Sequence, residues 1–433
     1  MRPWRNRQFS KALHLIIWLT TLVICWNIFR AGDKPRKDED KVKPTEVLWW
    51  SSGMSWSYDE IRTCGVHKCR FTNNRQRLPL ARAVLFYGSN MKMHDFPLPR
   101  LPQHIWALLH EESPRNVPFV PFNEFLRHFN YTSTFSRHSD LPLTTQYLPS
   151  VSELTTMKYF TNFYTKSHYF SHVIFLQSDC DTMSGREDYV KELMHHIRVD
   201  SFGKCLPNVD MPDSLQEDYL NRMYSPELLR YLTRYKFMIA IENGICNDYI
   251  TEKFWRPLVA GVIPIYFGSP TIKDWQPQHK SAIYVNDFPN AAALAEYLLF
   301  LADNETEYDS YRQHKLNSAN NIDNNRLKEN IVTRYYQIDE TQKESSSLFH
   351  KFECAMCQRL ASSEKYKSAN VLHYECPLPP IHAPLENKDG PQNAEDWRSM
   401  MEVGRCQAQL LDYFFQANRS FTQEQFEKKL AEC

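Results

Sequence analysis

Between two apolar runs, 236–241 (KFMIAI) and 262–267 (VIPIYF), lies a segment crowded with polar side chains: Glu242, Asn243, Asp248, Tyr249, Thr251, Glu252 and Lys253. Carboxylates, an amide, a phenol and an ammonium at that density can bind a polar ligand, orient it and balance charge that develops on it. The two runs read as buried strands, and Ile250, Phe254 and Leu258 fall on one face of a helix between them. Asp248 is suited to cap that helix and Gly261 to end it. The stretch is therefore one β-α-β unit. Ligands of such units gather at the carboxyl ends of the strands, where the free N–H groups of a helix N-terminus favour phosphate. The bland alternative is a solvated capping turn with an exposed Glu-Lys pair, and the pattern alone does not separate the two.

Three other patterns carry chemistry. Asp179-Cys180-Asp181 follows the apolar run 173–176, and carboxylate oxygens in that position suit Mn²⁺ or Mg²⁺ beside a nucleotide diphosphate. A three-residue pattern arises often by chance, so no metal is assigned to it. Glu111-Glu112-Ser113-Pro114 ends the strand-like run 105–109, and its bland reading is an exposed turn acid. Glu112 and Glu252 together would also suit glycoside hydrolysis, which uses paired carboxylates, but the nucleotide-like surroundings of Glu252 speak against it. Cys354-Ala355-Met356-Cys357 has the spacing of half a zinc site; Cys376 and Cys406 are too irregularly placed to supply the other half, so disulfides are expected. Cys64 with Cys69, and Cys354 with Cys357, are natural candidates by proximity in sequence, which does not fix the connectivity.

The elements that position these residues follow from hydropathy. Strand-like runs begin at Val47 and recur at 83–87 and 105–109, separated by Pro-rich turns; a second set runs through 173–176, 236–241 and 262–267. Alternation with helical stretches such as 189–197 and 291–301 indicates an α/β fold with largely parallel sheets. A chain of 433 residues, 42% of them hydrophobic, is too long for one small core and too apolar for disorder. Two doubly wound domains are expected, 46–170 and 171–357, followed by a C-terminal extension, 358–433, with no evident role. Residues 30–45 are mostly Lys, Asp, Glu and Pro and read as a stem. The uncharged apolar run 12–29 follows Arg2, Arg5, Arg7 and Lys11, which makes it a transmembrane signal anchor with 1–11 as a cytosolic tail and the body in a lumen. Arg30 follows the run where a cleavage site would need small residues. Sequons at Asn130, Asn304 and Asn418, and ten cysteines beyond the anchor, agree with a lumenal body. A formal net charge of zero gives no basic excess with which to expect a nucleic-acid partner.

With those elements in place, the polar segment and its flanks, ENGICNDYITEKFWRPLVAGVIPIYFG, resemble the donor-binding signature of the α1,3-fucosyltransferases. The likeness extends to 173–205, with its strand, Arg-bearing helix and V-D-x-F-G turn, and back to IWALLHEESP and FNYTSTFSRHSDLPL, so it covers about 47–357. HEESP, the LPLTTQYL run and DYITEKFWRPL are most similar to the divergent fucosyltransferases ten and eleven. The resemblance implies a GT-B fold of two Rossmann-like domains and an inverting, metal-independent transferase that needs no cofactor and uses GDP-fucose as donor. It implies a glycan or glycoprotein acceptor, in the Golgi or endoplasmic reticulum. The subgroup raises a second acceptor, Ser or Thr of a folded protein module, and a catalytically silent sugar-nucleotide-binding scaffold is the alternative of a different class. By the match, Glu112 is the base that takes the acceptor proton and Glu252 faces the fucose and its developing oxocarbenium ion. Arg186 and Lys253 match phosphate contacts; Glu242, Asn243 and Tyr249 match positions that hold the nucleotide, and Arg137 is a further donor-site candidate. Pro257 inside the helix and the bulky FWRP run depart from the Lewis-type members, which points to a kink near the phosphate and to a different acceptor.

Overall fold

β-Branched and aromatic residues favour strands. The computed structural model describes residues 43–53, 56–162, 171–216, 223–317, 321–334, 344–386 and 389–433. The first six strands are β1 (Thr45–Ser51), β2 (Asp59–Cys64), β3 (His67–Thr72), β4 (Ala83–Tyr87), β5 (Ile105–His110) and β6 (Tyr131–Thr134). They make one sheet in the order β2-β3-β1-β4-β5-β6, parallel except for the β2-β3 hairpin. Five more, β7 (Val173–Leu176), β8 (Val199–Phe202), β9 (Phe237–Ile241), β10 (Ile263–Phe267) and β11 (Ile283–Tyr284), form an all-parallel sheet ordered β11-β10-β9-β7-β8. This is the expected α/β fold.

Every side chain of β7, β9 and β10 is buried, as a parallel sheet covered on both faces requires. On one face lie α1 (Arg186–Met194) and, beyond the helix between β9 and β10, α3 (Ala291–Asp303): Tyr189, Val190, Leu193, Leu294 and Leu298 pack on Val173, Phe175, Ile239 and Ile265. On the other, that intervening helix, α2 (Glu252–Ala260), packs Phe254 and Leu258 on Ala240 and Tyr266.

The first sheet is covered by late parts of the chain. Helix α4 (Glu344–Ala361) places Phe352 and Met356 on Val47, Trp49, Phe71 and Leu85. Helix α5 (Ala394–Ala417) places Met401, Ala408, Leu411 and Phe415 on the opposite face, against Val84, Phe86, Trp106 and Leu108. The chain thus returns to the first sheet before Cys357, and the extension 358–433 supplies one layer of that sheet's core.

The cysteine pairing differs from proximity in sequence. Cys64 bonds Cys354 and Cys69 bonds Cys357, while Cys180–Cys205, Cys246–Cys376 and Cys406–Cys433 complete the set. The candidate local pairs, Cys64 with Cys69 and Cys354 with Cys357, do not form, although all four cysteines are disulfide-bonded. In the β2-β3 hairpin Cys64 faces His67 and Cys69 faces Arg62, so the two cysteines are diagonal neighbours rather than opposite ones. Cys354 and Cys357 stand one turn apart on α4, and that spacing presents both to the hairpin beneath.

No helix among the described residues is long and apolar enough to cross a membrane. The expected anchor, 12–29, the tail 1–11 and most of the stem lie outside the described residues.

Candidate active site

In the second sheet the chain reverses its direction of winding between β7 and β9, so the loops leaving these two strands diverge and open a crevice at their carboxyl ends. Glu242 leaves β9 directly into that crevice. It is fully buried, and both its oxygens are engaged by Thr251: Oε1 accepts from the Thr251 N–H and Oε2 from its hydroxyl, each at 2.8 Å. The Thr251 hydroxyl oxygen in turn accepts from the Lys253 N–H at 3.3 Å and caps α2. The cap is thus Thr251 and not Asp248. Asp248 is held in the left-handed region, φ 65°, by other demands on its carboxylate, which accepts from Arg137, Thr271 and Trp275. The helix runs through Pro257 and stops, as expected, at Gly261, whose φ of 70° suits glycine.

Lys253 and Glu252 open α2 side by side. Lys253 Nζ is 3.3 Å from Glu252 Oε1 and 3.7 Å from Glu242 Oε2. Burial alone would raise the Glu252 carboxyl, but Lys253 and Arg256 outweigh it and hold it below the usual carboxylate range. Glu242 goes the other way: burial lifts it in spite of Lys253. Asn243 is buried with its Oδ1 lacking a hydrogen-bond partner, and buried amides are seldom left so. A helix N-terminus, a lysine and an unmatched amide oxygen make a polar cradle for an anion-bearing ligand.

Glu112 faces this cradle from the turn after β5. Its Oε2 accepts from the Tyr249 hydroxyl at 3.3 Å. Burial lifts its pKa to about 7, assisted by the charge of Glu111 and opposed by Lys253. Glu111 bonds Tyr87 at 2.6 Å through Oε1, and burial raises its carboxyl as well. A carboxyl poised near neutrality can remove a proton from a hydroxyl that reaches it.

Two family profiles match the chain: "Glycosyltransferase family 10 (fucosyltransferase) C-term" over residues 166–375 and "Fucosyltransferase, N-terminal" over 42–147. The chain belongs to glycosyltransferase family 10, the fucosyltransferases. This fucosyltransferase is 61% identical over 391 residues to "Alpha-(1,3)-fucosyltransferase B" of Drosophila melanogaster, spanning 89% of this chain and 88% of that protein. It is 37% identical over 396 residues to "GDP-fucose protein O-fucosyltransferase 3" of Homo sapiens, across 88% and 81% of the two chains. A solved alpha1,3-fucosyltransferase with GDP is similar at 15% identity and a TM-score of 0.43, covering 77% of this chain and 94% of that one.

The remaining residues singled out in the sequence of this fucosyltransferase take other positions. Arg186 starts α1 at the crevice but is wholly buried, donating to the Ile241 carbonyl at 3.1 Å and to the Asp179 carbonyl, and pairing with Glu187 at 3.0 Å. It braces the two diverging loops from beneath. Arg137 forms ion pairs with Asp248 and Asp274, and so joins the segment after β6 to the loop before α2. The cation that sequence reasoning passed over is Arg115, the residue after Glu-Glu-Ser-Pro. It pairs with Asp179 at 2.8 Å and donates to the carbonyls of Cys180 and Asp181. The Asp-Cys-Asp carboxylates thus turn to Arg115 and, through Asp181, to Asn393 at 2.6 Å, while Cys180 is disulfide-bonded. Among the described residues no cluster of three or more His, Cys, Asp or Glu side chains is arranged to hold a metal. Tyr147 was also missed; it packs against the cluster that holds Ile250 and Phe254, and burial with the charges of Glu112, Glu111, Glu252 and Glu242 raises its phenol well above its ordinary value.

The sequon asparagines all have hydrogen-bond partners. Asn130 accepts from Arg100, Asn304 caps the next helix by accepting from the Glu307 N–H at 3.1 Å, and Asn418 accepts from the Arg100 N–H at 2.6 Å.

Proposed function

We propose that this chain transfers fucose from GDP-fucose, with inversion, to a hydroxyl of a glycan or glycoprotein, in a GT-B arrangement of its two sheets. The observation that carries the proposal is the placement of two glutamates about the N-terminus of α2: Glu252 lies 3.3 Å from Lys253 Nζ, and Glu112 accepts at 3.3 Å from Tyr249 of the loop before that helix. Their surroundings tune them oppositely, burial lifting Glu112 to about 7 and the neighbouring cations holding Glu252 low. In an inverting displacement the bond from the anomeric carbon to the GDP oxygen breaks as the acceptor oxygen bonds from the opposite face. Negative charge gathers on the departing diphosphate, and Lys253 with the N-terminus of α2 is placed to balance it. Positive charge gathers on the sugar ring, and the Glu252 carboxylate balances that. The acceptor proton passes to Glu112. The free Oδ1 of Asn243 supplies an acceptor for a ligand N–H or O–H.

A second acceptor is favoured by the relatives at 37% identity that are named GDP-fucose protein O-fucosyltransferase 3. GDP release measured with an N-acetylglucosamine-terminated glycopeptide and, separately, with a folded disulfide-bonded protein module decides between a sugar and a Ser or Thr hydroxyl. Release with neither, above the rate in water alone, would remove transferase activity from the reading. The five disulfides support a site in an oxidising compartment. With residues 12–29 as a type II anchor in the Golgi or endoplasmic reticulum membrane, an N-terminal tag is digested by protease added to sealed microsomes while the body is protected.

A further inference from the structure

The turn that carries Glu112 is held from two sides. On one, the Tyr249 hydroxyl donates to the Glu112 side chain at 3.3 Å; on the other, the Tyr374 hydroxyl donates to the Glu112 main-chain carbonyl. Tyr249 belongs to the loop before α2 and Tyr374 to the C-terminal extension. Phe135 sits between their rings, with centroids 5.1 Å from Tyr249 and 4.7 Å from Tyr374, and His110 stacks on Tyr374 at 5.5 Å. Beside the tyrosines the same two segments are joined covalently. Cys246 is bonded to Cys376, and the Asn247 N–H donates to the Glu375 carbonyl at 2.9 Å. The connections close a ring that runs from Glu112 through Tyr249, the disulfide and Tyr374 back to Glu112. Asp248, between Asn247 and Tyr249, is bound to Arg137 from the first sheet's side. All four residues from Cys246 to Tyr249 thus tie the loop to a part of the chain outside the second sheet.

We infer that Tyr249 and Tyr374 are positioning residues for Glu112 and that the Cys246–Cys376 disulfide is the closure that sets both, so that the C-terminal extension completes the transfer site. The inference rests on the reading of Glu112 as base. It departs from the role that resemblance gives Tyr249, since the hydroxyl is directed to the base. A phenol that donates to a carboxylate favours its charged form, so Tyr249 keeps Glu112 more acidic than burial alone would leave it. The other groups facing Glu112 are Glu111 beside it, Lys253 and Glu252 from α2, and the phenols of Tyr87, Tyr147 and Tyr374; Lys253 is the cation among them. Tyr374 acts differently. It holds the main chain of the turn and so fixes where the carboxyl begins.

The test uses the full chain and follows GDP release with whichever acceptor supports it, or hydrolysis by water if neither does, as a function of pH and GDP-fucose concentration. Tyr249→Phe and Tyr374→Phe keep the rings against Phe135 and remove only the hydroxyls. Tyr249→Phe is expected to lower kcat about tenfold and to move the acid limb of the pH profile upward by roughly half a unit or more, with KM for GDP-fucose within about twofold. Tyr374→Phe is expected to lower kcat several-fold with KM unchanged. Joint Cys246→Ser and Cys376→Ser substitution is expected to combine both losses, whereas joint Cys406→Ser and Cys433→Ser substitution leaves the kinetics alone. A raised KM for GDP-fucose in Tyr249→Phe with the limb unmoved would make it a nucleotide contact and overturn the inference, as would unchanged kinetics in both tyrosine variants. Glu112→Gln, run in parallel, separates the two levels: if it still transfers, the base reading fails whatever the tyrosines do. Thermal shift by GDP reports which variants fold, and if the cysteine pair does not, the two tyrosine variants decide alone.

Discussion

Two turns on opposite sides of one cleft each present a glutamate, and their surroundings drive the two carboxyls apart. Glu112 lies in the turn after a strand of the first sheet, among phenols and beside a second acid, and its pKa rises to about 7. Glu252 opens a helix beside Lys253 and Arg256, and is held low although partial burial works to raise it. Burial is the first influence on both. What separates them is the nearest formal charge, a glutamate in one case and cations in the other. The lesson is that the division into base and ionised stabiliser resides in the neighbours and not in the residue type.

The hardest blow to the comparison would come from Glu112→Gln, which keeps the shape and removes the basicity. Transfer is expected to fall by roughly 10² to 10⁴-fold with GDP affinity intact, by single-turnover rates and calorimetric titration. Near-normal transfer would place the base elsewhere. Next in size is pH. Glu112 must be ionised to act, so the transfer rate of the free enzyme should fall below pH 7 about tenfold per unit and stand roughly a hundredfold down at pH 5. A profile flat between pH 5 and 8 would show that no group of this kind limits the reaction. Lys253→Ala should cost about tenfold or more in GDP affinity, because a charge-assisted contact is lost, and should also push the acid limb upward by removing the cation that lowers Glu112. An unchanged GDP affinity would detach Lys253 from the diphosphate.

The raised pKa of Glu112 also bears on stability. A glutamate whose pKa is raised from 4.5 to about 7 on folding takes up protons in the folded state between those values, so stability drops as pH rises through that window. Glu112→Gln should therefore stabilise the fold above pH 7 by up to about 3 kcal/mol and have little effect near pH 4, read as the difference in denaturant midpoints. The smallest expected effect is none: because Asp179 is paired with Arg115, EDTA should leave the rate unchanged. Loss of activity in chelator, restored by Mn²⁺ and abolished in Asp179→Ala, would reinstate the Asp-x-Asp metal site.

The β-α-β unit around Glu242 was readable because its strands are uninterrupted apolar runs and its helix ends at a glycine, both local properties. Asp248 was misassigned as the cap because its true partners, Arg137 and Trp275, lie far away in sequence. The same distance hid the character of Glu112. Nothing in Glu-Glu-Ser-Pro reveals that Tyr249 and Tyr374 will close over it, so pattern alone left a surface acid and only the family likeness singled it out. Arg115 carried a faint local signal, its place directly after that motif. Arg186 was found by its motif, but its burial under two loops depends on the sheet order, which no local pattern encodes.

The two disulfides between the first hairpin and α4 set a schedule for making the molecule. Cys64 waits 290 residues for Cys354 and Cys69 waits 288 for Cys357. At a synthesis rate of about 5–20 residues per second, that is roughly 15–60 s during which both thiols are exposed on an edge hairpin whose covering helix does not yet exist. All of the second sheet is produced in that interval, including Cys180 and Cys205, which can pair with each other early. A hairpin made early is thus among the last parts to be sealed, and the wrong partners are the first to arrive.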